Sequence, residues 1–187
     1  MTFAYTAFKL RAIARRRLAI TLVELTLVLA VAAIAIAVGV RAYSNAQLAS
    51  RIDMQIQQIS TVRAAILTLY PHQDYAGLYM TKLLNSLPQS MMNADKTEGL
   101  NPFGGTFFAD RLNYGDGTDN AFTISLSNVP KAACQRLATF DLTPGAVRLY
   151  IGDKNLTYHQ TAAARATPQE AQSFCSDSGA LSWWFHE

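Results

Sequence analysis

Residues 18–40, LAITLVELTLVLAVAAIAIAVGV, form an apolar run with a single ionisable side chain, Glu24. At about 1.5 Å of rise per residue, a helix of this length extends roughly 30–35 Å, which is enough to cross the hydrocarbon core of a bilayer. An isolated carboxylate on such a helix costs on the order of 2.5–3.5 kcal/mol to place in lipid. The run therefore predicts a membrane-spanning helix in which Glu24 has a partner and a function.

The residues before this run are strongly basic. Five Lys and Arg side chains and no acid occur in residues 1–19, and basic flanks stay on the cytoplasmic side of a membrane. This order, a short basic leader followed by ITLVE and an unbroken apolar helix, resembles the precursors of type IV pilins. In that family a prepilin peptidase removes the leader, and a glutamate is the fifth residue of the mature chain.

The resemblance implies a processing site and an assembly residue. Counting back from Glu24 places the cut between Ala19 and Ile20, and Ile20 would receive the methyl group that the family's peptidase adds. Gly usually precedes the cut in this family, whereas this chain has Ala19. In the family the glutamate pairs with the freed N-terminal amine, within its own chain or on a neighbour, as the helices bundle. A carboxylate and an ammonium are better paired than apart in a low-dielectric core, which implies this role for Glu24.

An ordinary secretory signal is an alternative interpretation of the same residues. Ala35-Ile36-Ala37 has the small residues of a signal-peptidase site and would start a secreted protein near Val38. The apolar run is, however, longer than the roughly 7–15 residues usual in a signal, and a helical pattern continues after it. A plain single-pass anchor is the third alternative. The pilin-type interpretation is favoured over both.

The apolar run continues into an amphipathic helix. No Pro or Gly occurs in residues 41–70, and Pro71 prevents further helix, so one helix is predicted over residues 20–70. Its part 20–40 would lie in the membrane or the filament core, and its part 41–70 in a globular head. Apolar side chains recur at spacings of three and four on one face: Leu48, Ile52, Ile56, Ile59, Val62, Ile66 and Leu69. The other face carries polar side chains: Arg51, Asp53, Gln55, Gln57, Gln58 and Arg63.

Residues 71–187 are predicted to form one globular head of the α+β class. A short helix is expected near residues 80–86, and β-forming residues between turns predict strands at 105–110, 121–128, 146–151 and 181–185. The resemblance implies the pilin fold, in which an antiparallel sheet packs on the long N-terminal helix. The layout from Tyr75 through Pro88 to the turn Asn101-Pro-Phe-Gly-Gly is similar to that of type IVb pilins, in particular the major pilins of conjugative-plasmid thin pili.

Cys134 and Cys175 are the only cysteines. In an exported chain a lone pair predicts a disulfide, and two unpaired buried thiols are the alternative. Cys134 lies in a short helix opened by Pro130, and Cys175 ends a helix that starts with a capping box of Thr167 and Glu170. A bridge would therefore join two short helices. The family resemblance implies that it encloses an exposed, variable C-terminal region.

Charge and polar residues argue against other functions. Without the five basic residues of the leader, 11 of the 16 Lys and Arg remain against 13 Asp and Glu, a net charge of −2 that does not support nucleic-acid binding. The three histidines have no cysteine or carboxylate at ligand spacing, so we expect neither an enzyme nor a cofactor. The turn with Asp116 and Asp119 lacks EF-hand spacing and is expected to be a solvated hairpin tip rather than a metal site. The run Trp183-Trp184-Phe185 is expected to be a core strand, with one Trp contacting a neighbouring subunit or a receptor as the alternative.

These patterns together predict the major pilin of a type IVb pilus, used for attachment. The resemblance to the pilins of conjugative-plasmid thin pili suggests conjugative mating as one use. The precursor would be held in the inner membrane with its head in the periplasm and then join an extracellular filament. Its expected partners are other pilin subunits, the prepilin peptidase and the inner-membrane assembly machinery, and no specific nucleic acid. The alternatives are a minor pilin, a type II secretion pseudopilin, and a secreted binding protein with an ordinary signal.

Overall fold

The computed structural model describes residues 21–142, 145–157 and 164–186 of the chain. Two compact units are present, Met1–Tyr43 and Ser44–Glu187. The first contains the apolar part of the N-terminal helix. The second contains the rest of that helix, the sheet and the short helices. The predicted leader, residues 1–19, lies outside the described residues, as does Ile20.

The N-terminal helix α1 covers Leu22–Leu69, which is 48 residues. Thr21 caps its start, because the Thr21 hydroxyl oxygen accepts a hydrogen bond from the backbone N–H of Glu24 at 3.2 Å. The helix ends just before Pro71, which has no N–H to donate. The predicted continuous helix is thus confirmed, and its C-terminal end differs from the prediction by one residue.

The buried face of α1 differs from the prediction at two glutamines, which are buried, and at Leu69, which is exposed. The apolar residues Ile52, Ile59, Val62 and Ile66 are buried as expected, but so are Gln55 and Gln58, which were expected on the exposed face. Gln55 lies three residues after Ile52 and four before Ile59, so helical spacing places it on the same face as both. Position on the helix outweighs side-chain polarity here. Gln57, one residue before Gln58, is exposed.

The second unit contains three further α-helices and six strands in its described residues. The helices are α2 (Met80–Leu84), α3 (Lys131–Thr139) and α4 (Pro168–Phe174), with a 3₁₀ turn at Gln89–Met91. The strands are β1 (Gly99–Leu100), β2 (Thr106–Leu112), β3 (Ala121–Val129), β4 (Ala146–Ile151), β5 (Lys154–Thr157) and β6 (Gly179–Phe185). The four predicted strands are present as β2, β3, β4 and β6, with ends shifted by at most two residues. The short strands β1 and β5 were not predicted.

The six strands form one antiparallel sheet in the order β1-β2-β3-β6-β4-β5. The C-terminal strand β6 lies between β3 and β4, where Trp183 is paired with Ile124 on one side and with Leu149 on the other. All three side chains are at most 1% exposed. The last strand of the chain therefore completes the centre of the sheet, and the predicted α+β class is confirmed.

Side chains alternate between the two faces of the sheet. The inner face shares one buried core with α1, and its members include Phe107, Ala109, Phe122, Ile124, Leu126, Leu149, Ile151, Leu181, Trp183 and Phe185. The guanidinium of Arg63 on α1 lies 5.5 Å from the centre of the Phe185 ring. Trp183 and Phe185 are core residues, as predicted, whereas Trp184 is on the opposite face and partly exposed.

The turn that starts at Asn101 is held by one buried side chain. The amide oxygen of Asn101 accepts hydrogen bonds from the backbone N–H groups of Phe103 and Gly105, at 2.9 and 3.0 Å. Its amide nitrogen donates to the carbonyls of Thr106 and Ser127, at 3.2 and 2.7 Å. A side chain at Gly105 would place its Cβ 2.2 Å from the Ser127 carbonyl oxygen, so only glycine fits there. This cluster joins the turn to both β2 and β3.

Candidate functional site

The first unit presents an exposed apolar helix. Its large apolar side chains between Leu22 and Val40 are 51–79% exposed: Leu22, Val23, Leu25, Leu27, Val28, Leu29, Val31, Ile34, Ile36, Val38 and Val40. Within α1, a stretch with mean hydropathy 2.5 is long enough to cross a membrane, and none of that stretch is buried. Soluble monomers rarely expose apolar patches larger than a few hundred Å². This surface requires a cover, either lipid or other protein.

Glu24 is the one ionisable side chain on that surface. It lies in the first turn of α1 and is exposed. A negative charge in the first turn of a helix is favoured by the partial positive charge of the backbone N–H groups there. Its predicted partner is the amine of Ile20, which lies outside the described residues together with Ala19. The cleavage site and the charge pair therefore stay predictions.

The predicted disulfide is present in the second unit. Cys134 in α3 and Cys175 at the end of α4 are bridged, with their Cα atoms 5.8 Å apart, and both are buried. The capping box of α4 is also confirmed, because Thr167 and Glu170 each accept a hydrogen bond from the other's backbone N–H, at 3.3 and 2.8 Å. The backbone N–H of Ala166 donates to the carbonyl of Ala138 at 2.7 Å, which adds a second link between the two helices.

Arg111 fastens the segment after α1 to the turn between β2 and β3. Its guanidinium donates to the Ala76 carbonyl at 2.6 Å and to the Asp119 carboxylate at 3.2 Å, and lies 5.5 Å from the Tyr79 ring centre. The backbone N–H of Tyr75 also donates to the Asp119 carbonyl, at 2.8 Å. These contacts were not predicted from the sequence, since all of them except the ion pair of Arg111 with Asp119 join residues more than 30 apart. They give Asp119 a structural partner.

The polar turn before Ala121 is built from its own hydrogen bonds. The Asn113 side chain accepts from the backbone N–H of Asp119, and the Asn120 side chain bonds both backbone groups of Tyr114. Among the described residues, no group of three or more His, Cys, Asp and Glu is placed to hold a metal ion. A pocket of about 200 Å³ between α1 and β6 is smaller than the roughly 300–1,000 Å³ of typical ligand sites.

Comparison with known proteins places these features in a family. A family model described as PilS N terminal matches residues 35–184. Two curated proteins, each named as the major structural subunit of bundle-forming pilus, come from Escherichia coli O127:H6 and Escherichia coli O111:H-. Each is 30% identical over 151 residues, covering 73% of this chain and 76% of the relative.

A solved structure is also similar. The crystal structure of type IV b pilin from Salmonella typhi matches with a TM-score of 0.56 and 20% identity, over 72% of this chain and 99% of that one. At this identity the likeness shows the shared fold alone. The family model covers the end of the apolar run, the amphipathic part of α1, the sheet and both cysteines. The chain therefore belongs to the PilS N-terminal family and is a type IV pilin of the type IVb class.

Proposed function

We propose that this chain is the major structural subunit of a type IVb pilus. It is made as a precursor in the inner membrane with its head in the periplasm. A prepilin peptidase removes residues 1–19 and methylates Ile20, and the assembly machinery of the inner membrane then adds the subunit to an extracellular filament. The observation that carries the proposal is the exposure of the apolar part of α1 in the single subunit.

The same apolar surface serves two environments in this proposal. Lipid covers it in the precursor, and the helices of other subunits cover it in the filament, so transfer exposes little apolar surface to water. Glu24 would pair with the amine of Ile20 that cleavage creates. A subunit added out of register would leave both charges unpaired in a low-dielectric core, which costs more than the correct pairing. The pair would therefore select the register of assembly.

A major pilin is preferred over a minor pilin, a pseudopilin or a secreted binding protein. Both curated relatives are named as major structural subunits, and the match covers 76% of their length. Membership in a structural pilin family likewise supports a role without catalysis. The proposed use of the filament is the attachment of cells. The similarity to thin-pilus subunits suggests that this attachment serves conjugative mating.

The proposal is tested by shearing surface filaments from cells that carry the native assembly genes. The expected result is that this chain is the dominant protein of the filaments. In a matched strain without the prepilin peptidase, we expect no filaments and an uncut chain in the membrane fraction. Finding the chain as a trace component of the filaments would indicate a minor pilin. Recovery as a soluble protein, or only in the membrane of assembling cells, would contradict the proposal.

A further inference from the structure

The face of the sheet opposite α1 carries a surface that the proposed function does not use. We call it the outer face and define it by eight residues: Phe108, Asp110, Thr123, Ser125, Arg148, Tyr150, Ser182 and Trp184. None of the eight is buried, and Phe108 is 48% exposed. They alternate along β2, β3, β4 and β6 with the core residues of the inner face. Phe108 is the exposed member of the outer face, and the other seven residues are partly exposed.

Strand pairing arranges these eight residues in two rows across the sheet. The first row runs Phe108, Ser125, Ser182, Tyr150, and the second runs Asp110, Thr123, Trp184, Arg148. Each row spans four strands, roughly 15 Å at about 4.8 Å per strand. The first row has an aromatic ring at each end and two hydroxyls in the middle. The second row has an acid at one end and a base at the other.

The three small hydroxyls of the outer face already bond one another. The Ser182 hydroxyl lies 2.7 Å from that of Thr123 and 2.8 Å from that of Ser125. Because these hydroxyls have partners within the subunit, burying them costs less than burying unpaired groups. Only Asp110 and Arg148 are charged, and their charges are opposite. The aromatic residues and Arg148 of this face are of the types enriched at protein contacts, and its low charge is typical of such contacts.

The side chains of β4 and β6 on this face are held in position. The Arg148 guanidinium lies 5.0 Å from the ring centre of Trp184 and 5.4 Å from that of Tyr114. The rings of Tyr150 and Trp184 are 5.0 Å apart. Side chains ordered before association lose less conformational entropy when they bind. Because these side chains are already ordered in the single subunit, binding through them is favoured.

We propose that the outer face binds the outer face of a second copy of this chain in a neighbouring filament. A twofold axis parallel to the strands, between β3 and β6, would place Asp110 of each copy opposite Arg148 of the other. The same axis sets Phe108 opposite Tyr150 and Ser125 opposite Ser182. Three of the four pairs therefore match in charge, in aromatic rings or in hydroxyls, and the fourth sets Thr123 opposite Trp184. The face is thus self-complementary at these three pairs, as an isologous contact requires. This inference rests on the proposed function, since it requires filaments.

Symmetry and area both place this contact between filaments. Successive subunits of a polar filament are related by a screw operation and meet through two different surfaces, so a twofold contact of one surface with itself joins separate filaments. The face covers on the order of a few hundred Å², well below the roughly 1,000 Å² of a stable interface. Single subunits would not associate through it. Many copies along two filaments would, because their weak contacts act together.

Charge exchange tests the pairing directly. Asp110→Arg places like charges opposite each other, so we expect sheared filaments in normal yield that fail to associate side by side. The double variant Asp110→Arg/Arg148→Asp exchanges the charges and should restore association. Asp177→Arg, an exposed acid outside the face, makes the same change in net charge and should associate like the wild type. Electron microscopy and low-speed sedimentation of the filaments, at rising ionic strength, provide the readout.

Phe108→Lys and Phe140→Lys form a second matched pair that leaves Arg148 in place. Both rings are at least 40% exposed, and only Phe108 is on the face, so only the first variant should lose association. Four results would overturn the inference. The first two are wild-type filaments that never associate and an equal loss of association in Asp110→Arg and Asp177→Arg. The other two are an assembled double variant that does not regain association and equal behaviour of the two Phe variants. Absence of wild-type filaments would instead overturn the proposed function, and the inference with it.

Discussion

At the scale of single residues, Glu24 is the residue to which the proposed function assigns charge pairing during filament assembly. It is the only charge on an apolar helix surface that must be covered. A carboxylate in that position is costly in lipid and costly in a filament core unless it has a partner. The proposed partner is the amine that cleavage would create at Ile20. In the structure, Glu24 is exposed on α1.

Glu24→Ala tests this role. We expect the variant to insert and to be cut, because the apolar run is unchanged, but to assemble poorly. Leaving one member of a buried pair without its partner costs about 3–5 kcal/mol, and each 1.4 kcal/mol is about a factor of ten, so sheared filament should fall at least about tenfold. Asp53→Ala, an exposed acid further along α1, is the control. A normal filament yield from Glu24→Ala would contradict the proposed charge pairing.

Gln55 is a second residue whose environment makes a prediction. Its side chain is fully buried on α1, and neither amide atom has a hydrogen-bond partner among the described residues. Because an unsatisfied buried polar group costs about 1–3 kcal/mol, Gln55→Met should raise the free energy of unfolding by a similar amount. Gln57→Met, at an exposed position, should change it by less than about 0.5 kcal/mol. Thermal unfolding of the full chain in detergent measures both, and destabilisation by Gln55→Met would contradict the assigned environment.

Among the elements, α3 and α4 depend on the disulfide between them. Cys134 and Cys175 are 41 residues apart in sequence, and closing a loop of that size is worth about 4 kcal/mol in the chain-entropy estimate. The double variant Cys134→Ala/Cys175→Ala should therefore unfold roughly 10 °C lower than the wild type. Thr167→Ala, which removes only the α4 cap, should cost about 1 kcal/mol. Equal unfolding temperatures for wild type and double variant would mean that the bridge adds no stability.

Elements with a strong local pattern could be predicted from the sequence. The spacing of Ile52, Ile59 and Ile66 marks the core face of α1, and Thr167 with Glu170 marks the start of α4. Gln55 and Gln58 could not be assigned to that face by residue type, because a polar residue is expected to be exposed. Strands β1 and β5 have two and four residues, too few for an alternation to be recognised. The contacts of Arg111 with Ala76 and Asp119 could not be predicted, because they depend on how the segment after α1 packs on the turn between β2 and β3.

At the scale of the whole molecule, the order of the strands in the sheet could not be predicted from the sequence. The neighbours of β6 are β3 and β4, which are separated from it by more than 25 residues. Such pairings are set by the complete core rather than by local pattern. The placement of the C-terminal strand at the centre also creates the two rows of the outer face, since Ser182 and Trp184 join β3 to β4 there. The candidate cleavage residues were found only through the resemblance.

The proposed function depends on α1 being the anchor and assembly surface of a processed subunit. The most direct test is the intact mass and N-terminal sequence of the chain in filaments sheared from cells with the native assembly genes. We expect a start at Ile20 with one added methyl group. A soluble chain starting near Val38, with none in filaments, would contradict it and indicate an ordinary secreted domain. An uncut chain starting at Met1 and confined to the membrane would contradict processing at Ala19.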